Sequence, residues 1–128
     1  MSKAIDPQKL DKELNRWPRS WAGLDSDVPI GQEIVKAMRP CLSEMLNAKL
    51  ASSTINRHMG NLWLLGGEII SSIYHDPELV GLAGRELILR FVNEEGGPLS
   101  RHITTEEEQK KFDSTCRRLH RFLTQNPG

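Results

Sequence analysis

Apolar residues recur along this chain at intervals of three and four, and no segment alternates apolar with polar residues for the length of a strand. That period belongs to amphipathic helices, so an all-α fold is expected. Asp6-Pro7 reads as a cap followed by proline at the first helical position, with Leu10, Leu14 and Trp17 on one face and Pro18 expected to stop the helix. "PRSWAGLDSDVP" is a loop by its Pro, Gly, Ser and Asp content. A second helix is predicted from about Pro29 to Leu50, its buried stripe being Ile34, Met38, Leu42, Met45 and Leu46. Pro40 inside it predicts either a kink or two helices in succession. The third helix starts at Ser52 or Ser53 and reaches about His75, and Asp76-Pro77 begins a short helical turn. "GRELILRFVNEEGG" predicts a fourth helix with Leu87, Ile88, Phe91 and Val92 inward and Gly96-Gly97 as its stop. Thr104 and Glu107 fit a capping box for the last helix, whose apolar stripe is Phe112, Cys116, Leu119 and Leu123.

The pattern adds up to one compact bundle of four to five helices over residues 1–128: an N-terminal helix and loop (1–27), a helical core (28–123) and a frayed tail (124–128). Ile55, Met59, Leu62, Ile69, Phe91, Phe112, Leu119 and Leu123 are expected in a single core. A chain of 128 residues supports such a core without disulfide or metal staples. No apolar run approaches the ~20 residues of a membrane span, and "MSKAIDPQKLDKELNRW" lacks the apolar region of a secretory signal. A cytoplasmic protein with no membrane partner, in which Cys41 and Cys116 are reduced and buried, is therefore expected.

Charge changes this picture in one place. The 17 basic and 17 acidic residues cancel, which argues against binding nucleic acid by bulk charge but not against a local basic face. In the last helix Glu106, Glu107 and Glu108 come early, whereas Arg117, Arg118 and Arg121 come late. Lys110, Arg117 and Arg121 form a stripe, with Lys111 and Arg118 beside it and Arg101 in the preceding loop.

The third helix has a similar asymmetry. In "LASSTINRHMGNLWLLGGEII", Thr54, Arg57, His58 and Asn61 share one face of the first two turns. Beyond Asn61 the surface becomes apolar, and Gly66-Gly67 would let another helix approach closely. A helix whose front projects and whose back is buried offers free N–H groups, the hydroxyls of Ser53 and Thr54, and an arginine, which are groups that grip phosphate. A solvated amphipathic helix would show the same spacing.

This stretch resembles the "gls-x-x-T-x-x-R-x-x-x-x-L" helix of the N-terminal core-binding domain of tyrosine recombinases, the phage-integrase family. "GGPLSRHITTEEEQKKFDSTCRRLHRFL" is a weaker second echo, and "CRRLHRFL" looks like the "R-x-L-x-x-L-R-x-F" helix that closes such domains. The resemblance covers about residues 28 to 123. It implies a SAM-like helical domain that clamps DNA through Ser53, Thr54, Arg57, His58, Asn61, Arg101, Lys110, Lys111, Arg117, Arg118 and Arg121. The family's catalytic domain has no counterpart: the only tyrosine, Tyr74, ends an apolar helix, and no H-x-x-R is present. The resemblance therefore implies binding without strand cleavage, with no catalytic residue and no cofactor.

Other chemistry finds little support. Cys116 and His120 are four apart on one helix, but a closed zinc site needs four ligands and no CxxC or HxxxH pair is present, so no metal is expected. A Cys–His nucleophile pair lacks an orienting third group. Trp63 is expected in the core, whereas Trp17 and Trp21 in "RWPRSW" would fold back over the core or stack on a base or a protein. The rival to DNA binding is a helical interaction module, an adaptor or a partner of a recombinase, using "RWPRSW" and "LWLLGG". A continuous basic patch joining Arg57 to Arg117 and Arg121 favours DNA, and an exposed apolar patch favours a protein.

Overall fold

Asp6 opens the first helix by accepting the N–H of Gln8 at 2.9 Å, with Pro7 at a position that needs no donor. In the computed structural model, which describes residues 6–125, α1 then runs Pro7–Trp21. It is followed by α2 (Asp27–Asn47), α3 (Ser52–Ile73), a 3-10 turn (Pro77–Gly81), α4 (Gly84–Leu89) and α5 (Glu106–Gln125). The fold is an all-α bundle, and among the described residues no helix is long and apolar enough to cross a membrane. Of the tail read as frayed (124–128), Thr124 and Gln125 continue α5, and Asn126-Pro127-Gly128 lies outside the described residues.

Pro18, expected to stop the first helix, does not. Pro18 removes one backbone hydrogen bond near the end of α1, yet the helix continues to Trp21. Its buried ring lies against Gly31 of α2 so closely that a Cβ on Gly31 would sit 2.9 Å from Pro18 Cα. Packing of α1 on α2 thus offsets the lost bond. The loop predicted over residues 18–29 shrinks to Ala22–Ser26. It is pinned by the buried Asp27 carboxylate, which accepts the N–H groups of Gly23 (2.9 Å) and Leu24 (3.0 Å) and the hydroxyl of Tyr74. Pro40 lies within α2, which spans it as one helix.

The fourth helix is shorter than its pattern suggested. It ends at Leu89, and Asn93 redirects the chain by accepting the N–H groups of Glu95 (2.8 Å) and Gly96 (3.1 Å) through its side chain. Gly96 has φ +150°, a conformation that favours glycine. The cap of α5 is one residue later than predicted: Thr105 Oγ1 accepts the N–H of Glu108 at 3.1 Å and donates to its carboxylate at 3.0 Å.

The core contains Leu10, Leu14 and Trp17 of α1 together with the stripes of α2, α3 and α5. The α1 helix is thus part of the same hydrophobic unit as the rest. Of the eight expected core residues, seven are buried and Phe91 packs half-buried against them. Close approach at Gly66 is used by a side chain, not by a whole helix. The Trp21 indole lies over Gly66, where a Cβ would fall 2.1 Å from its Cζ2, and Trp21 Nε1 donates to the Trp63 carbonyl at 2.9 Å.

Gly60 of the same helix is the opposite case, since a Cβ there would meet nothing within 4 Å. In urea unfolding, Gly66→Ala is expected to lower stability by about 1–3 kcal/mol through overpacking. Gly60→Ala is expected to raise it by about 0.5–1 kcal/mol through helix propensity. Equal effects at the two glycines would contradict this placement of Trp21.

Candidate nucleic-acid interface

The front half of α3 lies antiparallel on α5, and one hydroxyl sets the register. Thr115 Oγ1, fully buried, is 2.7 Å from His58 Nδ1, accepts the amide of Asn61 at 2.9 Å and donates to the Lys111 carbonyl at 3.3 Å. Asn61 also donates to the Lys111 carbonyl at 3.3 Å. The polar positions expected to face outward are therefore divided. His58, only 4% exposed, and Asn61 turn toward α5 and hold the two helices together, while Ser53 and Arg57 face solvent and Thr54 is half-buried. Spacing shows which residues share a face but not whether a neighbouring helix covers it.

This register places Arg57 beside the C-terminal half of α5. Arg57 and Arg118 both act electrostatically on His58, and Glu44 of α2, Arg118 and Arg121 all act on Cys41. Arg118, half-buried between them, has its Nε shielded from water without a hydrogen-bond partner. None of these three arginines forms an ion pair; the pairs among the described residues are Arg19–Asp25, Arg39–Asp11 and Lys111–Glu107. The remaining predicted contacts are scattered. Arg117 donates to the Glu95 carbonyl at 3.3 Å beside the acidic turn Glu94-Glu95. Lys110 and Lys111 sit among the glutamates of the first turns, and Arg101 lies in the loop before α5, at the other end of that helix from Arg121.

A signal for the cluster is present in the sequence. There is no Asp or Glu from Met45 to Gly67, nor from Ser114 to Gly128, and these segments carry Lys49, Arg57, Arg117, Arg118 and Arg121. Only the antiparallel α3–α5 contact brings the two acid-free segments together. Every acid of the neutral chain thus lies outside these two segments.

Trp63 departs from expectation. It was expected in the core, yet it is 40% exposed, on the rim of a groove of about 690 Å³ between α1 and the front of α3. Trp17 is buried, and its ring centroid lies 5.8 Å from that of the half-buried Trp21. The two cysteines are free and buried, and burial pushes each thiol up to about 12. Among the described residues no group of three His, Cys, Asp or Glu side chains converges as a metal site would require.

Comparison with protein-family models, with curated proteins and with solved structures gives no match to this chain.

His58 carries a pH signature. Burial, then the charges of Arg57 and Arg118, lower its pKa from 6.5 to about 4. A depressed histidine pKa means that the unfolded chain takes up the proton first, so stability is complete above about pH 6.5 and declines as pH falls toward 4. The loss attributable to His58 should reach about 2 kcal/mol at pH 5. Urea unfolding at pH 7.5 and pH 5 is expected to show this extra loss in the parent protein and not in His58→Gln. An equal pH dependence in both proteins would mean that His58 is not buried as described.

Proposed function

We propose that this chain is a non-catalytic DNA-binding module that holds duplex phosphates with Arg57, Arg118 and Arg121, the face its resemblance to recombinase core-binding domains implied. The observation that carries the reading is the gathering of three arginines, free of carboxylate partners, from two acid-free segments of a chain with no net charge. Guanidinium groups left unpaired where neutralising acids are plentiful elsewhere are suited to an anionic partner, and arginine matches phosphate in a bidentate manner. Ser53 and Thr54 at the start of α3 add hydroxyls, and that helix has no side-chain cap on its first N–H groups. His58 and Asn61 serve the face from beneath by fixing α3 on α5.

Three phosphate contacts give modest, salt-sensitive binding, on the order of 10⁻⁴ to 10⁻⁶ M at physiological salt. Of the protein-docking segments, "RWPRSW" leaves little apolar surface open, because Trp17 is buried and Trp21 covers Gly66. The interaction-module reading would therefore depend on Trp63.

Fluorescence anisotropy of a labelled 20-base-pair duplex at two salt concentrations tests the proposal. Arg57→Ala, Arg118→Ala and Arg121→Ala should each weaken binding and each make the slope of log affinity against log salt shallower by about 0.9. Arg101→Ala, distant from the cluster, should change neither. Absence of duplex binding at low salt, where charge attraction is strongest, would reject the reading.

A further inference from the structure

We propose that the groove between α1 and α3 receives one unpaired, amino-bearing base of the bound DNA, stacked on Trp63; this inference rests on the reading that Arg57 and its neighbours hold phosphate. Arg57, Gly60 and Trp63 follow at three-residue steps, each turning about 60° around α3, so that the three lead from the arginine face round to the groove. The path covers about 9 Å along the helix axis and about a third of a turn around it, a span that one or two nucleotides of a strand can follow. A strand anchored at Arg57 reaches Trp63 by passing over Gly60.

The fold has no use of its own for a glycine at position 60. In mid-helix glycine is a poorer helix former than alanine, and a Cβ there would meet only open space. Gly66, by contrast, is required by the Trp21 ring. What the missing side chain at Gly60 leaves clear is the way into the groove.

Trp63 is built as a fixed platform. Its Nε1 donates to Ser20 Oγ at 2.9 Å, Ser20 Oγ donates in turn to the Trp17 carbonyl at 2.7 Å, and the Trp63 carbonyl holds the Trp21 indole. A ring tied by its edge and still 40% exposed offers area for stacking at little entropic cost. The polar groups of the groove suit a base. The exposed Asn56 amide has no hydrogen-bond partner among the described residues and can donate to and accept from a base edge. Asp6 and Glu13 accept from an exocyclic amino group, and with Lys9 beside them the two carboxylates still leave the lining net negative, so the base enters and the phosphate stays at Arg57.

The test uses three probes at low salt: twelve-residue deoxycytidine and thymidine strands, and a twelve-base-pair duplex, followed by anisotropy and by tryptophan fluorescence. The cytidine strand should bind more tightly than the thymidine strand and quench the fluorescence. Trp63→Leu should abolish the quenching and weaken cytidine-strand binding about ten-fold or more. Gly60→Leu, which fills empty space in a helix, should do the same while unfolding as cooperatively as the parent. Arg57→Ala should weaken single strand and duplex alike. Arg57-dependent binding without quenching, or without sensitivity to Gly60→Leu, would overturn the groove assignment and leave the phosphate face standing. A preference for thymidine would overturn the role given to Asp6, Glu13 and Asn56. Failure of all three probes to bind would overturn both this inference and the function on which it rests.

Discussion

Thr115 Oγ1 sits where α3 crosses α5, fully buried, in contact with His58, Asn61 and the Lys111 carbonyl. A buried hydroxyl left without partners costs about 1–3 kcal/mol, and the same penalty would fall on Asn61 and His58. Sliding α3 along α5 by a turn would break all of these bonds together, whereas apolar contacts alone tolerate small shifts. The Thr115 site thus acts as the register pin of the helix pair. The Ile55, Leu62, Phe112 and Leu119 side chains supply burial, and the hydroxyl decides which of their arrangements is adopted.

The distribution of charge follows from that register. With Thr115 opposite His58 and Asn61, Arg57 comes to lie beside Arg118, and the two acid-free segments form one face. Three unpaired guanidinium groups repel one another, and His58 beneath them remains neutral at pH 7 because burial and two of those charges disfavour its proton. Glu44 of α2 lies near the Arg118 and Arg121 end, but no carboxylate of the described residues pairs with any of the three, so repulsion among them remains. An anion bound on the face would relieve it, which links the packing of α3 to the proposed activity. On the other side of α3 the same helix forms a wall of the Trp63 groove, so one element joins two chemically different surfaces.

Much of the fold was legible because helical periodicity is a direct record of burial. The stripes of α2, α3 and α5 could be read from three- and four-residue spacing, and Asp6-Pro7 marked the start of α1. Helix ends were less legible because tertiary contacts decide them: Gly31 accommodates Pro18, and Asn93 closes the turn that cuts α4 short. At the candidate site, the grouping of Thr54, Arg57, His58 and Asn61 was visible, but the direction in which it points was not, since that depends on where α5 lies. Trp63 looked like core for the converse reason. Its neighbours Leu62 and Leu65 are buried, but its own position on the helix faces the rim of the α1 groove. Arg118 gained importance only once its position between Arg57 and Arg121 was known.

The location of the binding face is the central claim, and amide chemical-shift mapping tests it most directly. A ¹⁵N-labelled sample would be titrated with a short duplex at low salt, and the shift changes placed on the structure. Changes are expected to concentrate at Ser53–Arg57 in α3 and at Arg118–Arg121 in α5, with the 3-10 turn at Pro77–Gly81 and the acidic turn at Glu94-Glu95 unaffected. Changes centred on those acidic regions, or no changes at all, would contradict the account.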